Sequence, residues 1–134
     1  MHKTKIVTSF LKNSDKILLL KRSEKVKSMK NLWAGISGII EGDEEPFSRA
    51  KIEIFEEVGI NEAEITLIRE GNKMLIESPQ YLNHQWEVYP FLFSCTSREI
   101  KLNWENSDSR WIDIDELNDF QTVPSLDKVL TRLF

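Results

Sequence analysis

The stretch from Gly38 to Ile60, GIIEGDEEPFSRAKIEIFEEVGI, constrains this chain more than any other, because it reads as one helix with its start, body and stop. Pro46 suits a first helical turn, where a missing N–H leaves nothing unsatisfied. Asp43, Glu44 and Glu45 place negative charge at the positive end of the helix dipole. Gly59 suits the left-handed conformation that closes a helix. Phe47, Ala50, Ile54 and Val58 then fall on the side that faces a core, and Ile52 and Phe55 widen the apolar area. Glu53, Glu56 and Glu57, at i, i+3 and i+4, share another face.

Like charges at helical i, i+4 spacing repel by a few tenths of a kcal/mol. Taken alone, the three glutamates are a solvated acidic face, the usual meaning of a charge cluster. A hard divalent cation reverses the sign, since Mg²⁺ takes oxygen ligands and arrives with substrate phosphates.

At 134 residues the chain is long enough for one domain, 1–134, with its own core, and 40% hydrophobic with 30% charged residues fits a soluble globular protein. Its net charge of −4 argues against gripping a nucleic acid polymer through the phosphate backbone, which needs a basic surface. The single cysteine, Cys95, allows no internal disulfide and points to a reducing, cytoplasmic setting. Beside an apolar strand it reads as a packed residue rather than a nucleophile. MHKTKIVTSF lacks the apolar core of a signal peptide, and no segment reaches membrane-spanning length, so no membrane partner is expected.

Residues 5–11 and 17–21 read as strands joined by the turn-rich Lys12-Asn13-Ser14-Asp15, hence a hairpin. The apolar run Ile17–Leu20 predicts a strand buried on both faces. Lys21 and Arg22 close it as surface charges at a strand end. Residues 24–32, with Lys25, Lys27 and Lys30, read as an exposed loop or a flap that screens anionic substrate. Short strands are expected over 63–68 and 73–76, a long loop and substrate rim over 78–83, and a central strand over 85–94 in which Pro90 marks an edge, a bulge or a bend. A last strand is expected at 110–114, a short helix or turn at 115–120, and an amphipathic helix from Pro124 carrying Leu126, Val129, Leu130 and Leu133. With two histidines and no Cys or His cluster, a zinc site is not expected.

The central stretch resembles the Nudix (MutT-like) box, G-x5-E-x7-R-E-U-x-E-E-x-G-U. Gly38, Glu44, Glu53, Ile54, Glu56, Glu57, Gly59 and Ile60 stand at its positions, while Ile52 occupies the place of its Arg. Upstream, Trp33 and Gly38 survive from the family's Trp-x-x-Pro-Gly-Gly approach. The resemblance implies a Nudix-type α/β/α sandwich, with a mixed β-sheet between helices. It implies an Mg²⁺- or Mn²⁺-dependent pyrophosphohydrolase that cleaves a nucleoside diphosphate linked to another moiety.

By position it implies Glu56 and Glu57 as metal ligands, Glu53 as a ligand or general base, and the Gly38 carbonyl as a further ligand. Glu44 and Gly59 are then structural. Glu105, six residues before Trp111, matches an additional family metal glutamate, with Asp108 a nearby competitor. Isoleucine can supply neither the charge nor the hydrogen bonds of the missing Arg. Arg49, one turn before Glu53, is the candidate substitute. Arg22, Trp33 and Trp86 are candidates for substrate contact, although Trp33 reads first as a core residue. Tyr89 and Trp104 are further aromatic surfaces on which a base could stack. A catalytically weak domain that senses a nucleotide is the alternative, and the family also allows a homodimer.

Overall fold

The computed structural model describes residues 2–77 and 83–134. The loop expected over 78–83, with Pro79 and Tyr81, therefore falls outside the described residues except for Asn83. Strand β1 spans His2–Asn13 and β2 Lys16–Arg22, and they form the expected hairpin through Lys12↔Ile17 and Asn13↔Lys16. They part after those two pairs. Along most of its length β1 instead pairs parallel with β7 (His84–Cys95), from His2↔His84 to Lys12↔Ser94, and antiparallel with β4 (Ile36–Ile39). Beyond the turn, β2 pairs with β3 (Trp33–Ala34) and with β8 (Asn106–Ile112). β5 (Ile65–Glu70) and β6 (Met74–Glu77) follow one another along β7, completing a mixed sheet of eight strands among the described residues.

Pro90 lies inside β7, which is a central strand rather than an edge. It sits where the neighbouring chain crosses from β5 to β6, and there its carbonyl accepts from Gly71 N at 2.9 Å. A strand position without a donor is tolerable where the ladder on one side is already interrupted.

The pleat sends alternate side chains to two cores. Val7, Leu11, Leu18 and Leu20 pack with Ala50, Ile54 and Val58 of α1 (Pro46–Val58). On the opposite face Phe10, Ile17, Leu19 and Leu92 pack with Leu126, Val129, Leu130 and Leu133, around α2 (Leu126–Thr131). Ile17–Leu20 are buried throughout, as the apolar run required. The result is the expected α/β/α sandwich. Burying one Leu or Ile side chain contributes about 1.5–3 kcal/mol, so both layers are firmly held.

Several boundaries differ from expectation. β8 begins at Asn106, four residues earlier than its apolar pattern, because Ser107, Asp108 and Arg110 are exposed and hide the strand from a hydrophobicity reading. Residues 114–119 form a 3-10 turn, and 62–64 form another before β5. α1 starts at Pro46 and stops at Gly59, whose φ of 75° is left-handed. Among the described residues no helix is long and apolar enough to cross a membrane.

Candidate functional site

The outward face of α1 is not the one its composition suggested. Ile52 and Phe55 are 41% and 58% exposed, whereas Glu53 and Glu57 are only 8% and 4% exposed. On the helical wheel residues 50, 53, 54, 57 and 58 form one continuous arc. The apolar stripe therefore carries Glu53 and Glu57 inward along its border, while Glu56 stays exposed. Ile52, at the position where the motif has Arg, lies on the exposed side.

Gly38 makes the inward turn of Glu53 possible. It pairs with Val7 of β1, on the sheet face that α1 covers, and a Cβ on Gly38 would overlap the Glu53 carboxyl. Arg49 then holds that carboxyl. Its Nη1 donates to Glu53 Oε2 at 3.1 Å, its Nε donates to Glu44 Oε1 at 3.1 Å, and its Nη2 donates to Glu44 Oε2. Glu44 also accepts from Glu41 N at 2.8 Å, so it ties the loop before α1 to the helix. These bonds to Arg49 and Glu41 hold Glu44 below the usual carboxylate range, and Glu44 in turn raises Arg49. Burial pushes Glu53 up, Arg49 opposes, and the charges of Glu56 and Glu105 add to the rise.

Glu57 is the most enclosed of the carboxylates. Burial, followed by the charge of Glu105, pushes it well above its ordinary value. Its Oε1 accepts from Asn106 Nδ2 at 3.1 Å, while its Oε2 is buried with no hydrogen-bond partner. Asn106 went unsuspected in the sequence, since no local pattern links it to a helix that ends 48 positions earlier in the chain. The only signal was its place next to Glu105.

Glu105 and Asp108 have different surroundings. Glu105 accepts from Asn103 Nδ2 at 3.2 Å, and its backbone carbonyl accepts from Ser23 N at 2.8 Å, which fixes the end of β2 beside it. Its charge reaches Glu53, Glu57 and Arg22. Asp108 is exposed on β8 opposite Lys21 and accepts from Ser109 N. Arg22 donates through Nε and Nη2 to Ser28 O at 3.3 and 3.1 Å, pinning the lysine-bearing segment. Burial draws its guanidinium down, and Glu57 and Glu105 push it back.

A cavity of about 420 Å³, within the ordinary range for small-molecule sites, opens beside these groups. Arg22, Glu53 and Glu105 line one part and Ile76, Trp86 and Val88 another. Thr8 Oγ1 and Ser37 Oγ, 3.1 Å apart, add a hydroxyl pair to its wall. Trp33 is directed elsewhere: its ring packs edge-on to Phe120 at 5.2 Å, against the core around α2. Tyr89 is half-buried and donates to Glu87 at 2.9 Å. Cys95 is buried, and burial raises its thiol, as befits a packed residue.

Among the described residues no three metal-ligating side chains are already gathered to coordination distance. Glu53 and Glu57 each give one oxygen to a protein donor. Buried carboxylates, one with an unpartnered oxygen, beside Glu105 are nevertheless a donor set that suits a hard divalent cation.

The NUDIX domain family model matches residues 2–133. No curated protein matches the sequence significantly. Among solved structures, a MutT protein from Methanosarcina mazei aligns with a TM-score of 0.77 at 20% identity, covering 98% of this chain and 92% of that one. An Ap4A hydrolase from C. elegans aligns at 0.75 with 15% identity, covering 99% and 95%. The NUDIX domain of Shewanella oneidensis NrtR, solved with ADP ribose, aligns at 0.79 with 13% identity, covering 99% and 87%. At these identities the likeness is one of fold.

Proposed function

Because the chain belongs to the Nudix family, whose hydrolases act on phosphoric anhydrides, we propose that it is an Mg²⁺- or Mn²⁺-dependent pyrophosphohydrolase. Its substrate is a nucleoside diphosphate linked to another moiety, of the nucleotide kind that the Ap4A hydrolase and the ADP ribose complex represent. The observation that carries this reading is the buried pair Glu53 and Glu57, with Glu57 Oε2 unpartnered and Glu105 close by, at the edge of a cavity of nucleotide-sized volume.

In this reading Glu56, Glu57 and Glu105, with the Gly38 carbonyl, hold the cation. When bound it lowers the pKa of water and offsets charge on phosphoryl oxygens. Glu53, raised by burial yet held by Arg49, is a ligand or the base that takes a proton from the attacking water. Arg22, which lines the cavity with Glu53 and Glu105, contacts the phosphates, and Trp86 offers a ring to the base. Ile52 is exposed, and it is Arg49 that makes the contact to Glu53.

The test is product release from nucleoside triphosphates, dinucleoside polyphosphates, ADP-ribose and NADH, with and without Mg²⁺ or Mn²⁺, beside Glu56→Gln. Glu56 is exposed, so its substitution leaves packing intact. Metal-dependent turnover that falls at least about a hundredfold in Glu56→Gln is expected. Nucleotide binding without turnover on any substrate would make the chain a sensor instead.

A further inference from the structure

The register of the sheet sets the order of groups across the cavity. β1 runs between β7 and β4, with Ile6 opposite Val88 on one side and Ile39 on the other, and with Thr8 opposite Ser37. Trp86 and Val88 of β7 and Ile76 of β6 line the cavity on the β7 side of β1. On the β4 side, the missing Cβ of Gly38 admits the Glu53 carboxyl, with Arg49 bonded to it. Ile6, Thr8, Ser37 and Ile39 therefore line the middle of the cavity, between apolar side chains and charged ones. Of these four, only Thr8 and Ser37 are polar.

Thr8 is buried and Ser37 half-buried, and their hydroxyls lie 3.1 Å apart. A hydroxyl offers one O–H and two lone pairs. Their mutual bond uses one O–H and one lone pair, and among the described residues neither hydroxyl has another side-chain or backbone partner. The second O–H and the remaining lone pairs are available to a ligand. Cross-strand hydroxyl pairs also tie strands together. Here β1 and β4 are already paired from Ile6↔Ile39 to Ser9↔Ile36, and both hydroxyl-bearing residues line the cavity.

With phosphates at the carboxylates and a ring beside Trp86, the part of a nucleotide that spans the middle is its sugar, whose polar groups are hydroxyls. We propose that Thr8 and Ser37 bind the 2′ and 3′ hydroxyls of that sugar, so that the site takes ribonucleotides in preference to 2′-deoxyribonucleotides. Two adjacent protein hydroxyls match a vicinal diol. A deoxy sugar supplies only half of it, and a wall built to bond a hydroxyl discriminates against the analogue that lacks one. This rests on the hydrolase reading for the position of the phosphates, and adds to it the sugar that is selected.

Affinities for ATP, GTP and their 2′-deoxy counterparts are measured by calorimetry with Ca²⁺ in place of Mg²⁺, for the wild type, Thr8→Val, Thr8→Ser and Ser37→Ala. Turnover of the same nucleotides is measured separately with Mg²⁺. The wild type is expected to favour each ribonucleotide by about tenfold or more. Thr8→Val and Ser37→Ala are each expected to reduce the ratio to within about threefold, chiefly by weakening the ribonucleotide, while Thr8→Ser keeps the preference. A ratio near one in the wild type, a ratio unchanged in either hydroxyl-deleting variant, or no binding of any of the nucleotides would overturn the assignment. Because the ratio is a comparison within one protein, a merely structural role for the pair would leave it unmoved. If the preference in binding appears and depends on both hydroxyls but nothing is hydrolysed, the sugar contact stands and the hydrolase reading falls. If ribo- and deoxynucleotides are bound and hydrolysed alike, the reverse holds.

Discussion

Arg49 stands one helical turn before Glu53 and donates to its Oε2 at 3.1 Å, which places the cation of this site three residues ahead of the position where the Nudix motif carries its arginine. The same guanidinium grips Glu44, so one side chain joins the loop, the helix and the inward carboxylate.

Arg49→Ala is expected to lower kcat by about 10–100-fold, in the manner of residues that orient metal-ligating groups, and to lower the melting temperature. Arg49→Lys recovers little of this, because an ammonium cannot fork between Glu44 and Glu53. Ile52→Arg, on the exposed side of the helix, changes kcat by less than about threefold. Steady-state kinetics on the three variants check the set, and a large gain from Ile52→Arg would count against Arg49 as the orienting group.

Gly38→Ala forces the Glu53 carboxyl away from β4, since the added methyl overlaps it. A displacement on the order of 1 Å costs about a hundredfold in rate when it falls on a catalytic group. Turnover is expected to collapse while circular dichroism remains that of the wild type. An active Gly38→Ala enzyme would show that Glu53 functions from another position.

Glu57→Gln is expected to stabilise the metal-free protein at neutral pH by on the order of 1–2 kcal/mol, because an ionised carboxylate in that enclosure is incompletely compensated. Its Oε1 can still accept from Asn106. The stabilisation by Mg²⁺ expected in the wild type should shrink or vanish in the variant, as ligand linkage requires. Thermal denaturation of both proteins with Mg²⁺ and with chelator decides it.

Glu87 supplies a pH dependence away from the carboxylate cluster. The Tyr89 hydroxyl, with Lys73 at 3.5 Å and Lys5 at 3.9 Å, holds it below the ordinary carboxylate range. A carboxyl whose pKa is depressed on folding adds stability above its unfolded value, and that stability is lost as pH falls through its folded value. Glu87→Gln should therefore be less stable than the wild type at neutral pH, with the difference closing in acid. Urea titrations across pH 3–7 test the closing gap, and a constant difference would contradict it.

The helix from Pro46 to Gly59 was legible in the sequence because its signals are local, namely a proline, a glycine and a 3.6-residue stripe. The direction of its glutamates was not. Composition separates charged from apolar residues, whereas the buried arc on α1 includes both, since Gly38 leaves room for a carboxyl beneath the helix. β1, β2 and β7 were visible as apolar runs, whereas the short β3 and β4 were not expected as strands. The start of β8 was hidden because its early residues are polar, and with it the bond from Asn106 to Glu57. Whether Trp33, Trp86 or Trp104 is core or surface depends on partners distant in sequence, which an aromatic residue by itself does not reveal.

The parallel pairing of β1 with β7 also governs the order in which this chain can assemble. His2 to Lys12 pair in parallel with residues 84–94, so most of β1 waits for a strand made much later than β2 and β4. At about 5–20 residues per second of synthesis the wait is on the order of several seconds. During it Val7, Phe10 and Leu11, which finish in the two cores, have only the β2 hairpin and β4 to lean on. A topology dominated by such distant contacts closes late and slowly, and the emerging N-terminal half is the part of this protein most in need of shelter from other nascent chains.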